Sequence, residues 1–210
     1  MNETTDRGLP RQTNLETSLE MARQKLAGLD FDEQCQKAGL SPGPSGAEVA
    51  FINRLFHVDR ENFEVTPADP GDAPQMQEKI IVLHYLGSAT GAPASNELIS
   101  YKQVPDGAPY YQVFLKRTSG ILLSVFKGRF DDLMETAKKL GAGPDTEHGD
   151  KGFRIRALPR VEYLFALYEE DEEFDADIKV FFDSSVMEYL PAEDITVLCQ
   201  MTCLKIVKGG

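Results

Sequence analysis

Residues 158–194 constrain the fold of this chain more than any other stretch. Two apolar runs, at 161–168 and 178–182, flank seven acidic side chains packed into the nine positions from Glu169 to Asp177. The runs are rich in Val, Ile, Phe and Tyr, which fit a pleated, half-buried surface. A block of like charges cannot be buried, so it must cross water between them. The segment therefore reads as an antiparallel hairpin with an acidic tip.

The rest of the chain divides around that hairpin. Leu15, Leu19, Ala22, Leu26 and Leu29 step by four, three, four and three, drawing the stripe of an amphipathic helix that Asn14 is placed to cap. A short helical piece at 31–38 stops at Gly39, and the Pro/Gly/Ser run at 41–46 is a loop. Extended segments at 47–52, 55–58 and 63–65 make a small antiparallel meander. Asp72 and Pro74 begin a helix over 72–86, closed by Gly87. Strand character returns at 98–102. Residues 107–115 satisfy both periods, since Tyr111, Val113 and Leu115 alternate while Tyr110 and Phe114 keep helical spacing. Phe126, Phe130, Leu133, Ala137 and Leu140 predict one helix with Gly128 as a kink, strands follow at 153–157 and in the hairpin, and Leu190-Pro191 opens a last helix. Interspersed helices and antiparallel strands predict an α+β class: a flexible arm over residues 1–13, then one compact domain over 14–210, with amphipathic helices packed on the strands.

Composition bounds the partners. A formal net charge of −12 repels phosphate backbones and anionic headgroups, so nucleic acid and membrane surfaces are disfavoured. No apolar run approaches the roughly 20 residues that cross a bilayer, and the polar start MNETTDRGLPRQTN has no export-type apolar core. Three cysteines, Cys35, Cys199 and Cys203, make an odd set that suits a reducing compartment. A cytoplasmic protein with a small-molecule or protein partner is the expectation, and no cofactor is indicated.

Candidate sites come one by one. The acidic turn, with Asp171, Glu172 and Glu173, concentrates charge that a hard cation would relieve, but it lacks the alternating acids and central Gly of a calcium loop and reads equally as a solvated tip. Phe174 within it predicts an inward anchor. Asp183 ends an apolar strand before two serines, where it serves either as a site carboxylate or as a turn cap. His84 lies near a helix C-terminus, which favours imidazolium. Cys199 and Cys203 share a helix face and could ligate one metal, although Val197, Leu198, Met201 and Leu204 around them equally mark core filling. No nucleophile elbow, P-loop or dinucleotide glycine fingerprint is present.

The ordered set Leu83-His84-Tyr85-Leu86, Ile99-Ser100-Tyr101-Lys102 with Gly107 and Tyr110, Leu158-Pro159-Arg160, Asp171-Glu172-Glu173-Phe174, Phe182-Asp183-Ser184 and Leu190-Pro191-Ala192-Glu193-Asp194 resembles a prokaryotic domain-of-unknown-function family common in anaerobes. The resemblance runs from about residue 14 to the end. Some proteins similar to this one carry an added iron–sulfur domain of the kind seen in corrinoid-dependent one-carbon metabolism, whose cysteines the present sequence does not contain. The resemblance supplies no activity and no catalytic residues. It implies that the acidic turn and the Asp183 segment belong to the family's pattern.

Two functions follow as expectations. The first is a non-catalytic accessory protein of anaerobic metabolism that binds a small ligand, metal or cofactor-bearing partner through His84, Tyr101, Tyr110, Asp171, Glu172 and Asp183, converging from the ends of separate elements. The second is a carboxylate-dependent hydrolase or lyase, with Asp171, Glu173 or Asp183 paired for acid and base work and His84 as proton shuttle.

Overall fold

Leu15, Leu19, Ala22 and Leu26 of the first apolar stripe form one face of α1 (Gln12–Ala27), with Leu29 exposed beyond its end, in a computed structural model that describes residues 12–209. The helix begins two residues ahead of Asn14, which is therefore not its cap; the rest of the expected arm lies outside the described residues. Asp30 caps α2 (Phe31–Lys37), its carboxylate accepting from the Glu33 N–H at 2.8 Å. Three strands, β1 (Gly46–Phe51), β2 (Arg54–Asp59) and β3 (Val65–Pro67), pair antiparallel as a meander, the third shifted two residues on from the expected 63–65 because Phe63 takes a left-handed φ of +56° in the preceding turn. The next helix, α3 (Met76–Ser88), starts later than Pro74 suggested, where the Glu78 carboxylate accepts from the Gln75 N–H at 2.8 Å. It packs against α1, and Glu64 pairs with Arg23 of α1 and Lys79 of α3, pinning the meander to both helices.

The second half begins with β4 (Leu98–Ser100) and the ambiguous 107–115 segment, which is helical: α4 (Gly107–Arg117). The single helix expected around residues 126–140 is two, α5 (Ser119–Phe126) and α6 (Phe130–Lys139). Gly128 between them has φ +73°, a left-handed conformation that ends a helix where a kink was expected. Then come β5 (Gly143–Asp145), β6 (Lys151–Leu158), β7 (Val161–Tyr168), β8 (Asp177–Asp183) and the last helix, α7 (Ala192–Lys208). The acidic segment joins β7 to β8 in the expected antiparallel hairpin.

The second sheet has the order β4-β8-β7-β6-β5, antiparallel throughout. Phe153, Ile155, Tyr163, Phe165, Val180 and Phe182 point to the face that α5, α6 and α7 cover. Phe153 stacks on Phe165 at 4.7 Å, and Tyr163 meets Phe182 edge-on at 5.4 Å. Each such fully buried ring contributes about 1.5–3 kcal/mol. The opposite face carries Arg154, Arg156, Glu162 and Asp183 around the buried Leu164. The Ile52 N–H donates to the Ala157 carbonyl at 2.8 Å, joining the meander to the second sheet. The architecture is an α+β single compact domain.

Candidate functional site

The approach of two backbones builds the most ligand-like hollow. After β4 the chain makes one tight turn, Tyr101–Gln103, and doubles back to start α4 at Gly107. A Cβ at Gly107 would lie 2.1 Å from the Tyr101 carbonyl oxygen, so only glycine lets α4 begin there. This contact delivers the Tyr101 ring beneath α4, where it stacks on Phe114 with centroids 4.2 Å apart and planes 4° from parallel. The Tyr101 hydroxyl donates to the Ala192 carbonyl at 3.1 Å, tying the pair to the first residue of α7.

Between α4 and α7 lies a cavity of about 470 Å³. Its floor is the buried Tyr101 and Phe114, its outer wall Tyr110 and Val113, and its far wall Pro191, Ala192 and Thr196. Tyr110 is 62% exposed and Val113 48%. Polar groups are few and sit at the edges: Asp106, Glu193 and Arg117. The Arg117 guanidinium is oriented by Gln200, to whose side-chain oxygen it donates at 2.9 and 2.7 Å. Apolar walls with a small number of fixed polar groups are what small-molecule sites are made of.

Of the six residues expected to converge, Tyr101 and Tyr110 meet in this cavity, and the other four are not in its wall. His84 is engaged elsewhere: its Nδ1 lies 2.6 Å from an Asp194 carboxylate oxygen. Asp183 lines a separate cleft over the open face of the second sheet. Its carboxylate caps a turn, accepting from the N–H groups of Ser95, Asn96 and Ser185 and from the Ser95 hydroxyl at 2.7–2.9 Å. Burial pushes this carboxyl up, but the hydrogen bonds from Ser185 and Ser95 outweigh it and hold the group well below the usual carboxylate range. The turn-cap reading of Asp183 is thus the geometry observed.

Asp171 also folds inward on its own loop, accepting from the Glu173 and Phe174 N–H groups at 2.8 and 2.7 Å. These bonds lower its pKa. Glu172 is exposed beside it. Phe174 is 70% exposed, which corrects the expected inward anchor. The anchor is Lys127, whose ammonium reaches Glu170 and Asp175 at 3.0 Å each. Electrostatics has done here what apolar burial was expected to do.

Cys199 and Cys203 are fully buried free thiols on α7. Burial pushes the Cys199 thiol well up, with Cys203 adding to the effect. Among the described residues, no group of three or more His, Cys, Asp or Glu is placed to hold a metal ion.

Sequence reasoning missed three residues. Phe114, half of the aromatic floor, was visible as the i+4 neighbour of Tyr110. Asp194, the partner of His84, lies 110 positions away and left no local signal. Arg160 stands in the cleft that Asp183 lines. Its signal was the repeat Arg154, Arg156, Arg160, in which strand alternation puts the first two on one face.

A family model described as Domain of unknown function (DUF3786) matches residues 30–205. No curated protein and no solved structure matches the chain. Among the described residues, no helix is long and apolar enough to cross a membrane.

Proposed function

The chain belongs to the DUF3786 family, a domain of unknown function, and from its own geometry we propose that it is a non-catalytic accessory protein that seats a small molecule between α4 and α7. One observation carries this reading: the part-exposed Tyr110 and Val113 stand over a stacked Tyr101–Phe114 floor in a hollow of about 470 Å³. Single exposed apolar side chains need no explanation, but two beside a rigid aromatic floor make a contiguous surface whose covering would release water. The floor is held in advance by the Gly107 contact and the Tyr101–Ala192 hydrogen bond, so a ligand meets a formed surface and little ordering entropy opposes binding. The occupant is a planar, largely apolar molecule, with Arg117 placed for an anionic substituent.

The setting belongs to the same proposal. Three free, buried thiols suit the cytoplasm, the charge of −12 opposes nucleic acid, and the resemblance described above favours anaerobic metabolism. Titration with 1-anilinonaphthalene-8-sulfonate, a planar aromatic anion, tests the site. Binding is expected to be saturable at one site per chain and weakened at least tenfold by Val113→Glu, which puts a carboxylate in the outer wall. Equal binding by both proteins would remove the proposal.

A second reading is favoured by one contact. The Asp194 carboxylate, 10% exposed, orients the His84 ring as the third group of a catalytic set orients a general base. In a hydrolase or lyase of this kind His84 would act as the base and Asp194 would orient it, a different part from the paired acid and base work expected of Asp171, Glu173 or Asp183. Turnover of p-nitrophenyl acetate that disappears in His84→Gln would favour it over simple ligand binding.

A further inference from the structure

The cleft over the open face of the second sheet encloses about 540 Å³ and has a different chemistry from the aromatic cavity. Its walls come from four separate segments: the loop before β4, the turn before β6, the β6–β7 hairpin, and the end of β8 with the turn that follows. Leu98, Leu164, Ala92, Pro159 and Tyr189 supply an apolar lining. Into this lining project three arginines of a chain whose net charge is −12.

The three are not equivalent. Arg154 is consumed structurally, donating to Asp145 at 2.9 Å and lying 3.7 Å from Glu162. Asp145 also accepts from the His148 backbone N–H at 3.0 Å, with the imidazole Nδ1 2.9 Å away. Arg156 shares the same Glu162, at 3.4 Å. Arg160 has no carboxylate partner among the described residues. Its stem is nevertheless located: a Cβ added at Gly39 would come 2.8 Å from its Nε, so the guanidinium lies against the turn that ends α2. The hydroxyls of Tyr85 and Tyr189 both feel its charge.

We propose that this cleft binds the carboxylate of a small organic acid with an apolar body, held on the Arg160 guanidinium with Arg156 beside it. The planar fork of an arginine matches a carboxylate through two parallel N–H···O bonds. A polyanion is excluded by the cleft's own acids, since Glu147, Glu162 and Asp183 line the same wall. Asp183 does not compete for Arg160, because its oxygens are occupied by backbone N–H groups. The site is independent of the α4–α7 cavity, with which it shares no wall residue.

The test compares 3-phenylpropionate with 3-phenylpropanamide, a neutral molecule of the same shape. Both are titrated into the Val113→Glu protein, so that the aromatic cavity makes no contribution, while the arginine Nε–H resonances are followed by NMR. The acid is expected to saturate below about 10 mM, to shift the Arg160 resonance, and to bind at least tenfold tighter than the amide. Arg160→Lys should lose most of that preference and Arg160→Ala all of it, with the backbone spectrum otherwise retained because the side chain is exposed. Equal affinity for acid and amide, preference persisting in Arg160→Ala, or no saturation by the acid would each overturn the proposal.

Discussion

Tyr101 stacks face to face on Phe114, 4.2 Å between centroids, while its hydroxyl bonds the first residue of α7 at 3.1 Å. One side chain thus joins the short turn after β4 to α4 and α7, and the same ring is the floor of the proposed ligand cavity. Stability and binding are expected to separate when it is trimmed. Tyr101→Phe removes one hydrogen bond, about 0.5–1.5 kcal/mol, and leaves the stack in place. Tyr101→Ala should cost about 3–5 kcal/mol and abolish dye binding. Urea unfolding of the two variants measures the difference; similar losses for both would mean that the ring is not packed as described.

Tyr163 presents the opposite case. Its hydroxyl is fully buried and meets no hydrogen-bonding partner among the described residues. Burial first, then Cys199, Cys203 and Asp194, push its pKa well up, so it stays protonated. An unsatisfied buried hydroxyl costs about 1–3 kcal/mol, so Tyr163→Phe should be at least as stable as the parent protein. Destabilisation by more than about 1 kcal/mol in urea would show that the hydroxyl has a role.

Asp183 should make stability depend on pH in a defined direction. Its folded-state pKa lies below the unfolded value of about 3.9, so its contribution is complete above that value and lost as pH falls through the folded pKa. Asp183→Asn should therefore be less stable than the parent by about 1–3 kcal/mol at pH 6, with a gap that narrows by pH 3. Urea midpoints at the two pH values decide the matter. A gap that does not change with pH would mean that the carboxylate's charge is not what the turn uses.

The thiols should be silent while the chain is folded. Burial, with Asp32 adding to it, pushes the Cys35 thiol up to about 11, and burial also pushes the Cys199 thiol well up. The thiolate is the reactive form, so reaction with 5,5′-dithiobis(2-nitrobenzoate) at pH 8 should be limited by unfolding. Rapid modification of Cys199 or Cys203 in native buffer would contradict their burial.

Much of the fold could be read because its signals were local. The acidic hairpin, the first two strands of the meander and the final helix each carry their period, charge or breaker within a dozen residues and appear where those signals put them, whereas the third strand runs on through Pro67 because Phe63 is spent on a left-handed turn. Residues 107–115 were ambiguous because Tyr111, Val113 and Leu115 alternate; Gly107, fitted against Tyr101, settles the helix through a contact that no period encodes. Gly128 broke a helix where it was expected to bend one, since apolar spacing continues across the break while backbone φ does not. The site was legible only in part. Tyr101 and Tyr110 share a cavity, but His84 found its carboxylate in Asp194 and Asp183 found its donors in Ser95 and Asn96, 88 and 87 positions away. Such pairings are made by topology alone, and one sequence holds no trace of them.

The central claim is that a planar ligand lies between α4 and α7, and backbone amide mapping tests it most directly. With 1-anilinonaphthalene-8-sulfonate added to the ¹⁵N-labelled protein, the largest shifts should fall on residues 106–117 and 192–196 and vanish in Val113→Glu. Shifts centred on the exposed Phe174 turn, or scattered over the surface, would contradict the account.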